Sequence, residues 1–196
     1  MFRLIAVITF GGCVAISAIY RRRARRESET IPRRRERPPL VIARVVIGLP
    51  LFLGVLTYLV HPGLMSWSSL DLPDGLRWVG AALGLLCVPT AYWVFSTIGR
   101  NVSETVLTKD GHELITAGPY HWVRHPLYTV GVTLFGAVGL MAANWFILLF
   151  AAITLLAIRL VVIPLEEREL VARFGDAYRE YVRRNGALLP RPWRGR

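Results

Sequence analysis

The sequence predicts an all-α fold, an integral membrane helical bundle of about five transmembrane helices. Three observations predict it. Of the 196 residues, 54% are hydrophobic and the mean hydropathy is +0.43, more apolar mass than a soluble chain of this length can enclose. The apolar residues gather into long runs, which lipid accepts on every face of a helix. The net charge of +11 is concentrated largely between and after those runs.

The runs follow in order. Residues 2–20 are apolar except for Arg3, Thr9 and Ser17, and residues 40–60 except for Arg44, Thr57 and the break at Pro50. Residues 76–98 form a third run containing Pro89, and residues 145–163 a fifth interrupted by Thr154 and Arg159. A span needs about 17–25 residues, so these four qualify. Residues 127–141 are a shorter fourth run that extends back toward Pro126. Only Ala142, Ala143 and Asn144 separate it from the fifth, which predicts a tight antiparallel hairpin. The chain reads as a single domain over residues 1–196.

Charge orients these spans. After the first run, Arg21, Arg22, Arg23, Arg25, Arg26, Arg33, Arg34, Arg35 and Arg37 face Glu27, Glu29 and Glu36, a net +6 in one short connection. The positive-inside rule places that connection in the cytoplasm. Alternation then puts residues 99–124 and the Arg-rich tail on the same side, with the amino terminus and residues 61–75 outside. A basic stretch lacking interleaved aromatics and tied between two spans predicts contact with membrane lipids and no nucleic acid. The first run has its arginines after the apolar stretch and no small-residue cleavage site, so it reads as a retained helix. Cys13 and Cys87 lie within apolar runs and read as small buried hydrophobes.

Two hydrophilic segments carry the groups that can do chemistry. In residues 99–128, Lys109-Asp110-Gly111 and Gly118-Pro119 are turn signals, and Pro126 suits the first turn of a helix. Residues 164–192 continue the fifth helix as an amphipathic one, with a cap or break at Gly175-Asp176. Individually these residues have bland explanations. His121 and His125 have the spacing of a helical zinc pair, but Trp122 stands where the metalloprotease pattern needs Glu and Pro126 follows at once; no metal is expected. Arg124 with His125 suits headgroup anchors beside Trp122, Glu166 and Glu167 a solvated helix face paired with nearby Arg, and Arg159 a snorkelling cation. Gly80 and Gly84 have the small-xxx-small spacing of a helix contact.

As an ordered set they say more. Gly118-Pro119-Tyr120, then Val123-Arg124-His125-Pro126-Leu127-Tyr128, a helical hairpin, Glu166-Glu167, Leu170, Phe174-Gly175, Tyr178 and Tyr181 together resemble the isoprenylcysteine carboxyl methyltransferase family. Its wider relatives include membrane phospholipid methyltransferases. The resemblance covers residues 71–192, including the leader Lys109-Asp110-Gly111-His112-Glu113-Leu114-Ile115. It implies a cytoplasmic cap that binds S-adenosyl-L-methionine over the last hairpin. By that likeness Thr105, His112, Glu113, Leu114, Ile115 and Tyr120 line the cofactor pocket, with His125, Pro126, Leu127 and Tyr128 from the fourth helix and Glu166 from the fifth.

These residue types suit such a ligand. A carboxylate accepts from a hydroxyl or ammonium, imidazoles donate or accept, and tyrosine rings face a cation. No glycine-rich fingerprint follows a predicted strand, which excludes a soluble Rossmann-type methyltransferase. The resemblance further implies methylation of a prenylcysteine-like or other lipophilic acid entering from the bilayer. The family's acceptor-binding Arg is absent, since Val162 stands there, and Arg159 about one turn earlier is the candidate catalytic substitute. A phospholipid or lipid amine N-methyltransferase, and a membrane scaffold or transporter without turnover, are the alternatives.

Overall fold

The computed structural model describes residues 1–27, 38–99 and 114–191, and among them it contains helices and no strand. The apolar runs become α1 (Phe2–Glu27), α2 (Pro38–Val60), α3 (Asp74–Ile98), α4 (Pro126–Ala142) and α5 (Trp145–Ala157). α5 continues through a π-helical turn at Ile158–Val162 into α6 (Ile163–Phe174), and α7 (Asp176–Arg184) follows. Three helices among the described residues are long and apolar enough to cross a membrane: Phe2–Ala24, Asp74–Ile98 and Trp145–Phe174. Val45–Val60 and Pro126–Ala142 are shorter apolar helices. In the span Trp145–Phe174 only 17% of the most apolar window is buried inside the protein. Its outward face, with Leu149, Leu156 and Leu160, is apolar, which favours lipid over water as the surroundings. The chain is an integral membrane protein.

α3 lies at the centre, packed against α1 and α4, while α5 packs against α4 and α2. The approach of α3 to α4 depends on Gly80. A Cβ there would stand 2.7 Å from Leu140 Cβ and 2.8 Å from the Ala137 carbonyl, so any larger residue would push the helices apart. Thr9, fully buried in the core, satisfies its hydroxyl on its own helix by donating to the Ile5 carbonyl at 2.9 Å.

Two departures from the sequence reading concern where helices stop. α1 passes Tyr20 and runs to Glu27, so Arg21, Arg22 and Arg23 stand on helix rather than in a connecting loop. Ala and Arg are good helix formers and nothing there breaks the pattern. Arg21 donates to Ser17 Oγ one turn back at 3.1 Å, and Arg23 lies 5.7 Å from the centre of the Tyr20 ring. The second departure is the π turn, which apolar periodicity does not reveal.

At one end of the bundle the α4–α5 hairpin is pinned by a closed polar network. Ala143 takes a left-handed conformation (φ 48°) to end α4, and Asn144 caps α5 by accepting from the Ile147 N–H at 3.1 Å. The Asn144 amide donates to Ser68 Oγ at 2.7 Å and to the Met65 carbonyl at 3.2 Å, both in the 3₁₀ turn Pro62–Ser68. Arg3 and Arg77 serve helix ends as well. Arg3 donates to the Leu59 and Val60 carbonyls, Arg77 to the Met141 carbonyl, and each thereby satisfies a helix C-terminus that lipid would leave bare.

Candidate functional site

The opposite end is built from residues 114–128 and the elements after the π turn. Gly118 makes the entry (φ 57°): a Cβ here would lie 2.8 Å from Thr97 Oγ1, so both conformation and space require glycine. A 3₁₀ turn over Gly118–His121 follows, then an extended stretch in which Val123 bridges in parallel to Gly186. The Arg124 N–H donates to the Gly186 carbonyl at 2.9 Å and the His125 N–H to that of Ala187 at 3.0 Å. His125 occupies the N-cap of α4 with Pro126 just inside, where a missing N–H costs nothing.

The carboxyl-terminal elements close over this stretch. α6 ends at Phe174, Gly175 turns the chain (φ 56°), and α7 buries Tyr178 and Tyr181. The Tyr181 hydroxyl donates to the Tyr120 carbonyl at 2.6 Å, and the Asn185 amide donates to the carbonyls of Tyr120 and His121. Burial pushes the Tyr181 hydroxyl up to about 12, so it stays protonated and acts as a donor.

A charged cluster fills the junction. Arg124, with 8% of its side chain exposed, grips Glu167 Oε1 through Nε at 2.8 Å and Nη2 at 2.7 Å. Its Nη1 donates to the carbonyls of Val182 and Asn185. His125 is buried beside it, with Nε2 3.1 Å from the same Glu167 oxygen and Nδ1 3.6 Å from Glu166 Oε2. The Tyr128 ring stacks on His125 at 5.7 Å between centres. The Tyr178 hydroxyl is buried without a hydrogen-bond partner among the described residues. Burial, then the charge of Glu167, pushes it well above the ordinary tyrosine range and keeps it a donor.

Of the residues expected to form a pocket, the structure brings His125, Pro126, Tyr128 and Glu166 to this junction. Tyr120 is buried beside it, with its carbonyl taken by Tyr181 and Asn185. Leu127 and Ile115 are partly buried against the apolar core, and Leu114 is half-buried. Thr105, His112 and Glu113 lie outside the described residues. Arg159 is exposed in the π turn, seven residues before Glu166 and so about 10 Å along the helix axis. The wider turn also rotates Arg159 away from the Val162 face that an α-helix would let it nearly share. His121 is exposed in the 3₁₀ turn while His125 is buried at the next element, so their spacing is not a helical one.

Arg124 is buried rather than a headgroup anchor, and Glu167 does pair with an Arg but in a largely buried junction rather than on a solvated face. Arg124 is a buried fork tying α4, α6 and the end of α7 together, and Glu167 is its shared acceptor. Asn185 and Tyr178 are further members that the sequence reading did not assign to the site. Their signal was present but indirect: Arg124 adjoins His125, Glu167 adjoins Glu166, and Tyr178 lies in the same motif.

Comparison with known proteins agrees with this architecture. The model of the isoprenylcysteine carboxyl methyltransferase (ICMT) family matches residues 80–172. Methanethiol S-methyltransferase 1 of Bradyrhizobium diazoefficiens is 47% identical over 75 residues, covering 38% of this chain and 25% of that protein. The nickel-cobalt-cadmium resistance protein NccN of Alcaligenes xylosoxydans xylosoxydans is 37% identical over 120 residues, 58% of this chain and 53% of its own. The chain thus spans between a quarter and about half of the length of these relatives. The solved structure of the eukaryotic intramembrane Ras methyltransferase ICMT shares the fold, with a TM-score of 0.53 and 20% identity, over 95% of this chain and 67% of that one. In its motifs, over residues 80–172 and in its fold, the chain is similar to the isoprenylcysteine carboxyl methyltransferase (ICMT) family.

Proposed function

We propose that this protein is an S-adenosyl-L-methionine-dependent membrane methyltransferase acting on a lipophilic acceptor that enters from the bilayer. The observation that carries this reading is the placement of His125 between Glu166 and Glu167, with Tyr128 stacked on it. Two segments some forty residues apart thereby meet at the foot of α4. The donor set fits the cofactor. Acceptors at Glu166 and His125 suit its ammonium and ribose hydroxyls, and the Tyr178 hydroxyl is a buried donor with no acceptor among the described residues.

When bound, the cofactor supplies a methyl carbon activated by a sulfonium. His125, Tyr128 and Glu166 bind and orient it, Pro126 and Leu127 wall it, and Leu114, Ile115 and Tyr120 line the cap. The family resemblance assigns cofactor contacts to Thr105, His112 and Glu113 as well. Methyl transfer is an in-line displacement, so holding the acceptor in line is the protein's main contribution. The basic segments face the cytoplasm in this scheme, with the amino terminus outside, as reporter fusions at either terminus will test.

Two acceptor chemistries have support. A prenylcysteine-like or other lipophilic carboxylate, as in an isoprenylcysteine O-methyltransferase, would be held by Arg159 and needs no general base. A small apolar thiol is favoured by the 47% identity to a methanethiol S-methyltransferase, and reacts as its thiolate. A lipid amine must first lose a proton. The deciding experiment measures cofactor binding by calorimetry on detergent-purified protein, then labelled-methyl transfer to a prenylated thiol acid, an alkanethiol and a phospholipid amine. Absence of cofactor binding overturns the enzyme reading in favour of a scaffold or transporter.

A further inference from the structure

One oxygen in the junction is shared in an uncommon way. Glu167 Oε1 meets both Arg124 nitrogens at 2.8 and 2.7 Å and His125 Nε2 at 3.1 Å. A carboxylate held in a guanidinium fork is ionised and only accepts, so Nε2 must carry the proton of that third contact. On the other side of the ring, Nδ1 stands 3.6 Å from Glu166 Oε2, beyond hydrogen-bond reach. A ring protonated at Nε2 alone presents a lone pair at Nδ1. Nδ1 and the Glu166 oxygen then stand side by side as two acceptors. Two adjacent acceptors match a group rich in donors, an ammonium or a vicinal diol, and repel an anion.

We propose that Glu167 and Arg124 are positioning residues that hold His125 in the Nε2–H tautomer, so that Nδ1 and Glu166 together accept from a donor-rich group of the cofactor. This rests on the cofactor-binding role proposed for the junction. Arg124 extends the device to the chain end. The guanidinium that orients Glu167 also donates to the Val182 and Asn185 carbonyls, so docking of α7 and orientation of His125 depend on one side chain.

The tautomer is directly observable. In protein labelled with ¹⁵N at its four histidines, with His125 assigned by comparison with His125→Gln, the ligand-free wild type should show a protonated Nε2 and a bare Nδ1. Glu167→Gln should lose that preference and weaken cofactor binding about tenfold, the scale of one misaligned charge-assisted hydrogen bond. Glu167→Asp, which keeps the charge, should recover part of both. A purely structural Glu167 would lower the melting temperature and leave the tautomer unchanged. The proposal is overturned if wild-type His125 is an imidazolium or carries its proton on Nδ1, or if Glu167→Gln keeps the wild-type tautomer and affinity. Should Glu167→Gln not fold, the wild-type spectrum and Glu167→Asp decide. Should the wild type bind no cofactor, the methyltransferase reading fails, while the spectrum still decides the positioning role.

Discussion

At the hairpin end of the bundle, Asn144 is 2% exposed, and its amide hydrogens and oxygen are all engaged by Ser68, Met65 and Ile147. At the cap end, His125 is 6% exposed, yet its Nδ1 stops short of a hydrogen bond with Glu166 and the nearby Tyr178 hydroxyl has no partner among the described residues. Both ends bury polar groups where water is scarce. The first spends them on fastening a hairpin, and its arginines likewise finish helix ends. The second concentrates two carboxylates, a guanidinium, an imidazole and a phenol, and among the described residues leaves the Tyr178 hydroxyl unbonded. Unspent capacity in a buried site costs stability, and in the proposed reading the cofactor takes it up.

Substitutions can break this contrast. The largest effect is expected from Arg124→Ala. It strands Glu167 and two carbonyls in a buried site, and should cost about 3–5 kcal/mol of stability, read as loss of cooperative melting in detergent. Asn144→Ala should cost about 2 kcal/mol, for a helix cap and two amide bonds, while folded protein keeps wild-type cofactor affinity. If Asn144→Ala abolished binding while melting normally, the two ends would not be separable. Glu166→Ala reverses the pattern, with about 1.5–3 kcal/mol lost from cofactor binding by calorimetry and little change in melting. Tyr178→Phe is a smaller and sharper probe. Removing a hydroxyl that makes no bond among the described residues should leave melting unchanged or higher, while affinity falls by about 1 kcal/mol if the cofactor is its partner. The smallest effect is expected from Arg159→Lys. A snorkelling cation tolerates Lys, whereas a fork holding a carboxylate acceptor does not, so acceptor efficiency with the cofactor saturating separates the two.

The hairpin end was the more legible from sequence. Three residues between two apolar runs, ending in Asn, leave little freedom, and the left-handed Ala143 and capping Asn144 follow from that brevity. Pro126 at the start of α4 and the break at Gly175 were equally plain, because both residues restrict the backbone in known ways. The extension of α1 to Glu27 was not, since the end of an apolar run marks where lipid stops and not where helix stops. Nor was the pairing of Val123 with Gly186, sixty-three residues away, which no local pattern encodes. The cluster fell between these cases. Its members were visible as a motif, but the choice of Glu167 over Glu166 as the partner of Arg124 depends on how α6 is turned about its axis.

Ahead of α6 lies the π turn at Ile158–Val162. A single wide turn is what a helix does with one surplus residue, taking the insertion locally rather than passing the rotation down its length. The helix therefore behaves as two parts keyed separately, one to its neighbours in the bundle and one to the cap. A chain lacking Leu160 would close the turn to ordinary α-helix and still present Glu166 and Glu167 to His125. A deletion within α6 ahead of Glu166 would instead swing both carboxylates by about 100° and dismantle the junction. Changes of chain length are thus expected to be tolerated at one short stretch of this helix and lethal a turn later.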